Sequence, residues 1–204
     1  MTTGLCGSSF IDELRGLLSR RERRVMTDPA YAHAAVIVPL FNKDRSCHIL
    51  FTKRTDLVKH HKGQISFPGG VFDDEDGDLR RTALREAFEE VGLKEDDVQI
   101  LGILDDIVTV TGFIVTPFVG VFSYPYRFQL SPREIEELIE VPLSFLLDPA
   151  CFSESEMVGE DRRRVVYNYQ YREHAIWGAT ALILKQLLEF ISTLDGSLPV
   201  KRAL

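Results

Sequence analysis

Leu84-Arg85-Glu86-Ala87-Phe88-Glu89-Glu90-Val91-Gly92-Leu93, the stretch LREAFEEVGL at residues 84–93, decides how this chain is read. Wound as an α-helix, successive side chains turn by about 100°. Glu89 and Glu90 then fall about 60° and 40° to either side of Glu86, so three carboxylates share one narrow face. Leu84, Phe88 and Val91 fall on the opposite side, which predicts that this side packs and the acidic one does not. Gly92 is the expected C-cap. Like charges three and four apart cost a helix a few tenths of a kcal/mol per pair, so the clustering needs a reason. A hard divalent cation, Mg²⁺ or Mn²⁺, supplies one, because such ions take oxygen ligands and bridge to substrate phosphates. A solvated acidic face is the competing reading of a bare Glu-x-x-Glu-Glu. Arg85, on the flank, could orient a metal-binding carboxylate.

The charge distribution points the same way. The 204 residues carry a net charge of −7. Between Asp73 and Asp97 eleven acids face four bases, so this one segment holds the whole acidic excess. That argues for a local cation site and against a nucleic-acid face. A hydrophobic content of 45% with 27% charged residues excludes disorder, a collagen-like chain and a small disulfide scaffold. No apolar run reaches the roughly 20 residues that span a bilayer, and MTTGLCGSSF does not read as a secretory signal. Cys6, Cys47 and Cys151 are scattered and are expected to be free thiols in a reducing compartment; cytoplasm is the expected location.

Outward from the acidic stretch, strands and helices alternate. Strands are expected at 34–41, 47–54, 98–104, 113–122 and 164–171, and helices at 8–24, 79–92, 132–139 and 176–194. The first helix would close on the arginines of RRERR, and the 132–139 helix would start with Pro132 behind Ser131. The fold class is α/β, a mixed β-sheet between helices. The expected divisions are an N-terminal helical extension over 1–32, a catalytic domain over 33–195 and a tail over 196–204.

Upstream, SFPGG (66–70) ends an extended run in a glycine turn that lets backbone approach a ligand. The acidic loop DDEDGD (73–78) fails as an EF-hand, since aligning Gly77 to the invariant glycine puts Phe72 and Ala83 at ligand positions. Gly70, this loop and Arg85-Glu86-Ala87-Phe88-Glu89-Glu90-Val91-Gly92-Leu93 resemble the Nudix box, G-x5-E-x7-R-E-U-x-E-E-x-G-U. Asp76 stands at the early Glu position, the loop is one residue longer and Ala87 replaces the bulky U residue. The first two departures resemble the coenzyme A pyrophosphatase branch. So does the upstream segment: Leu50-Phe51-Thr52-Lys53-Arg54-Thr55, Lys59, Gly63 and Phe67-Pro68-Gly69-Gly70 match the spacing of L-L-T-x-R-S-x3-R-x3-G-x3-F-P-G-G.

The resemblance implies an α/β/α sandwich and metal-dependent hydrolysis of coenzyme A or acyl-coenzyme A to 3′,5′-ADP and 4′-phosphopantetheine products. By position, Glu86, Glu89 and Glu90 would bind Mg²⁺ or Mn²⁺, Arg85 would hold the carboxylates and Asp76 could help through water. Gly69 and Gly70 would approach the substrate, and Arg54 and Lys59 would contact phosphate. The basic residues Lys53, Arg54, Lys59, His60, His61 and Lys62 suit a substrate with an extra phosphate, although solvated loop charge explains some of them. ADP-ribose or a dinucleotide is the alternative substrate, and a non-catalytic nucleotide-binding module is the alternative class. Trp177, His48, His174 and Cys151 are expected to be structural. Glu134, Glu136, Glu137 and Glu140, where some Nudix enzymes place a general base, read as a solvated helix face. The expected partner is a small nucleotide, with neither nucleic acid nor membrane involved.

Overall fold

Strands β1 (Ala32–Lys43) and β2 (Ser46–Arg54) pair antiparallel across a tight turn, and both faces of the pair are apolar. In the computed structural model, which describes residues 7–57, 61–158 and 163–194, alternate side chains of β1 enter two different cores. Val38 and Leu40 go to one; Ala35, Ile37 and Phe41 go to the other. A strand buried on both faces needs cover on both. Helix α1 (Ser8–Arg20) covers the first face with Leu14 and Leu18. Helix α2 (Leu79–Val91) covers the second with Ala83, Leu84, Ala87 and Val91.

The sheet is mixed. β1 runs antiparallel to β2 and to β4 (Gly69–Val71), but parallel to β7 (Phe113–Phe122). β3 (Ile65–Ser66) and β5 (Val98–Ile103) are the ends of the path β3-β2-β1-β7-β5, with β6 (Ile107–Val108) on β7 and β8 (Ile135–Pro142) on β2. After the short helix α3 (Leu143–Leu146), a second antiparallel sheet forms from β9 (Phe152–Val158), β10 (Arg163–Tyr171) and β11 (His174–Trp177). Helix α4 (Gly178–Leu194) adds Leu184, Leu187 and Ile191 to the α1 side of the core. The architecture is the expected α/β/α sandwich.

Several expectations are corrected. Residues 132–139 are not a helix: Pro132 begins a single turn closed by the Glu134 and Ile135 amides on the Ser131 carbonyl, and the chain then extends as β8. The open edge of β2 outweighs helix propensity, because pairing there buries Ile135, Ile139 and Val141. The first helix stops at Arg20, and the arginines beyond it are an extended arm tied to Asp105 and Asp106. Phe88 is half exposed, whereas Glu90 is buried, so the packing side of α2 includes a carboxylate. Cys47 is disulfide-bonded, which corrects its reading as a free thiol; Cys151 is free and buried.

Candidate active site

Helix α2 starts cleanly because the Asp78 carboxylate caps the Arg81 amide, and it ends at Gly92 in the left-handed region, φ 73°. Between these caps the buried arc centres on Ala87, and the three glutamates trail off its edge from interior to solvent. Glu90 is 2% exposed, Glu86 is part-buried and the Glu89 side chain is 58% exposed. The three are neighbours in sequence but occupy three environments.

Strand β4 brings the glycine turn against two of them. Antiparallel pairing of Gly69 and Gly70 with Val36 and Ala35 lays that backbone beside α2. The Gly69 N–H donates to Glu90 Oε2 at 3.3 Å. A Cβ on Gly70 would stand 2.4 Å from the Glu86 carboxyl carbon, and one on Gly69 would meet the Ala35 carbonyl oxygen at 2.3 Å. Only glycine permits that approach at either position.

Two arginines hold the acidic arc. Arg85 donates through Nε to Asp76 Oδ1 (2.7 Å) and through Nη1 to Glu86 (2.8 Å) and Glu89 (3.3 Å). Asp76 is in turn buried, its Oδ2 accepting from Thr82 Oγ1 (2.8 Å), Arg85 Nη2 and the Asp73 amide. With both oxygens engaged, Asp76 anchors Arg85, and the Arg85 and Thr82 donors hold its carboxyl well below the usual carboxylate range. Arg54, from the end of β2, donates to Glu90 Oε1 at 3.0 Å. Glu134, which in sequence reads as part of a solvated helix face, stands beside the site, 3.9 Å from Arg54 Nη2.

Burial pushes the Glu90 carboxyl up to about 8, against the pull of Arg54 and the Gly69 amide. Burial also raises Glu86, opposed by Arg85. Among the described residues no three acidic, histidine or cysteine side chains stand together at ligand spacing, since the glutamates are drawn to different arginines. The donor chemistry nevertheless fits a hard divalent cation: all three groups are carboxylates, and burial leaves Glu86 and Glu90 under-compensated.

Of the expected phosphate contacts, Arg54 is thus engaged with Glu90, and Lys59, with His60, lies outside the described residues. Lys53 pairs with Glu136 at 2.9 Å, His61 bonds to Gln64 and Lys62 is exposed. Trp177 closes β11 on the rim, half exposed. His174, buried, faces Glu137 and Glu173 away from α2, and His48 stacks on Phe41.

The fold thus brings together the glycine turn and the acidic helix that resemble the Nudix box. The NUDIX domain model matches residues 31–156, more than half of the chain, and the chain belongs to that family. Nudix hydrolase NudL of Photorhabdus laumondii is 38% identical over 157 residues, covering 77% of this chain and 83% of that protein. NudL of Enterobacter sp. strain 638 is 36% identical over 186 residues, covering 91% and 95%. The crystal structure of a NUDIX hydrolase from Alicyclobacillus acidocaldarius shares the fold, with a TM-score of 0.54 at 18% identity, covering 87% of this chain and 99% of that one. The protein is a Nudix pyrophosphohydrolase, of a family that acts on small nucleotide substrates and generally uses divalent ions such as Mg²⁺ or Mn²⁺. No helix among the described residues is long and apolar enough to cross a membrane.

Proposed function

We propose that this enzyme hydrolyses the diphosphate linkage of coenzyme A or acyl-coenzyme A, giving 3′,5′-ADP and (acyl-)4′-phosphopantetheine. Glu86, Glu89 and Glu90 would hold Mg²⁺ or Mn²⁺. The carrying observation is that two separate sequence signatures meet at one carboxylate: Arg54 and Gly69 of the upstream segment both donate to Glu90 of the box. A motif that resembles the coenzyme A branch is therefore part of the same site as the acidic helix.

A bound divalent ion neutralises diphosphate oxygens and lowers the pKa of an attacking water. The chain's own residues prepare for this. Arg85 restrains Glu86 and Glu89 from one side while Asp76 restrains Arg85. The bare backbone at Gly70 lets the Glu86 carboxylate lie directly against β4. With Arg54 engaged by Glu90, Lys59 remains the proposed contact to the 3′-phosphate.

One observation favours a second reading. Lys53 and Arg54 are both neutralised, by Glu136 and Glu90, which removes two cations from the field a third phosphate would need. ADP-ribose or a dinucleotide, which lack that phosphate, suits such a site. Product analysis by mass spectrometry after incubation with coenzyme A, dephospho-coenzyme A, ADP-ribose and NADH, each with Mg²⁺ and Mn²⁺, separates the two. Preferential release of 3′,5′-ADP supports the coenzyme A reading; preferential cleavage of ADP-ribose or NADH overturns it.

A further inference from the structure

We infer that Arg54 is a positioning residue: it fixes the orientation of Glu90 within the acidic arc and does not read substrate phosphate. The inference rests on the proposed reading of Glu86, Glu89 and Glu90 as cation ligands.

A carboxylate as buried as Glu90 is costly to leave without positive charge, and Arg54 is the cation the fold supplies. Each oxygen of Glu90 receives one donor, Arg54 Nη1 on Oε1 and the Gly69 amide on Oε2. The donors come from different strands, so the plane of the carboxylate is set from two directions. Each oxygen keeps further acceptor capacity.

The backbone aims Arg54 at this task. Pairing of β2 with β8 shifts register between Lys53 and Arg54, where β8 carries one extra residue, Glu136, and the shift leaves Glu134 beside the Arg54 guanidinium. Main-chain bonds lock the backbone on either side of Arg54: Arg54 N–H to the Gln64 carbonyl (3.0 Å), Gly63 N–H to the Arg54 carbonyl (3.1 Å) and Thr55 N–H to the Glu134 carbonyl (2.8 Å). Lys53, before the shift, reaches outward to exposed Glu136. Arg54 is 23% exposed and has Glu134 3.9 Å from Nη2. A phosphate drawn to this guanidinium would face two carboxylates, an arrangement that repels it.

The test is titration calorimetry of Mn²⁺ into the full chain without substrate, for wild type, Arg54→Gln, Arg54→Lys, Lys53→Gln and Glu90→Gln. A partner that orients a metal ligand is typically worth ten- to a hundredfold in metal affinity, so Arg54→Gln should weaken Mn²⁺ by about tenfold or more. Lys53→Gln should stay within about twofold, as an exposed pair next door. Arg54→Gln should also lower kcat/KM for coenzyme A and dephospho-coenzyme A by one common factor, leaving their ratio unchanged. Unaltered Mn²⁺ affinity in Arg54→Gln, or a loss confined to coenzyme A, overturns the inference. Should Arg54→Gln not fold, Arg54→Lys decides: it keeps charge without the guanidinium's reach, and is expected to lose affinity several-fold, with wild-type affinity overturning the idea. Glu90→Gln keeps the two claims apart. If Glu90→Gln loses Mn²⁺ and Arg54→Gln does not, only the positioning role fails; if Glu90→Gln binds like wild type, the cation reading itself has failed.

Discussion

Glu89 and Glu90 differ by one position and by almost their entire exposure, and that difference controls what each substitution should do. Glu89 accepts from Arg85 in an exposed geometry. Glu89→Gln is expected to keep its unfolding free energy within about 0.5 kcal/mol of wild type. Its kcat should fall by about a hundredfold, as loss of a key electrostatic element does. Thermal denaturation beside steady-state kinetics checks both halves. Glu90→Gln is not an equivalent probe, because it also strips Arg54 of its buried partner. Asp76 carries a different signature. Its carboxyl is held below the ordinary value of about 4 by Arg85 and Thr82. A depressed folded value means that the stabilisation is complete above the unfolded pKa and is lost as pH falls through the folded one. Asp76→Asn should therefore reduce stability at neutral pH and flatten its decline below about pH 4. Equal acid-unfolding curves for the two proteins would show that Asp76 does not hold Arg85 as described.

Between elements, the decisive joints are close approaches and charged straps. Gly70→Ala would drive a methyl into the Glu86 carboxylate, so activity should drop by at least about tenfold with little change in the far-ultraviolet circular dichroism. Wild-type turnover in that variant would mean that β4 does not support the site. On the opposite face, the arm after α1 is fastened at Asp106, which is buried and accepts from Arg23, the Met26 amide and Thr116. Removing one partner of a buried pair costs about 3 kcal/mol or more, so Asp106→Ala should show a clear fall in urea midpoint. The sequence made α2, its Gly92 cap and β1, β2, β5, β7 and β10 legible, because periodicity and turn residues state them locally. β8 was not legible: IEELIEV has helix formers throughout, and only the open edge of β2 makes it a strand. The arm was equally hidden, since RRERR continues a helical pattern until Asp105 and Asp106 arrive from about eighty residues away.

At the scale of the whole molecule, the sandwich sets the acidic edge of α2 against β4 and within reach of Arg54 at the end of β2, and so joins segments 54, 69–70, 76 and 85–90 in one site. The box was legible as chemistry because its carboxylates recur at helical spacing. What Arg54 does was not legible, because a bulge and a long-range ion pair decide it. Which substrate fits depends on charges that local sequence cannot count as free or paired; Lys53 and Arg54 look available in sequence and are neutralised in the fold. On the proposed reading, these carboxylates support metal-dependent cleavage of a diphosphate. The most direct measurement is the initial rate of diphosphate hydrolysis by wild type and Glu89→Gln, each with Mg²⁺ and after EDTA, across coenzyme A, ADP-ribose and NADH. The expected result is turnover of at least one of these by wild type with Mg²⁺, none after EDTA, and a rate about a hundredfold lower in Glu89→Gln. Undiminished hydrolysis after EDTA, or full activity in Glu89→Gln, would contradict it.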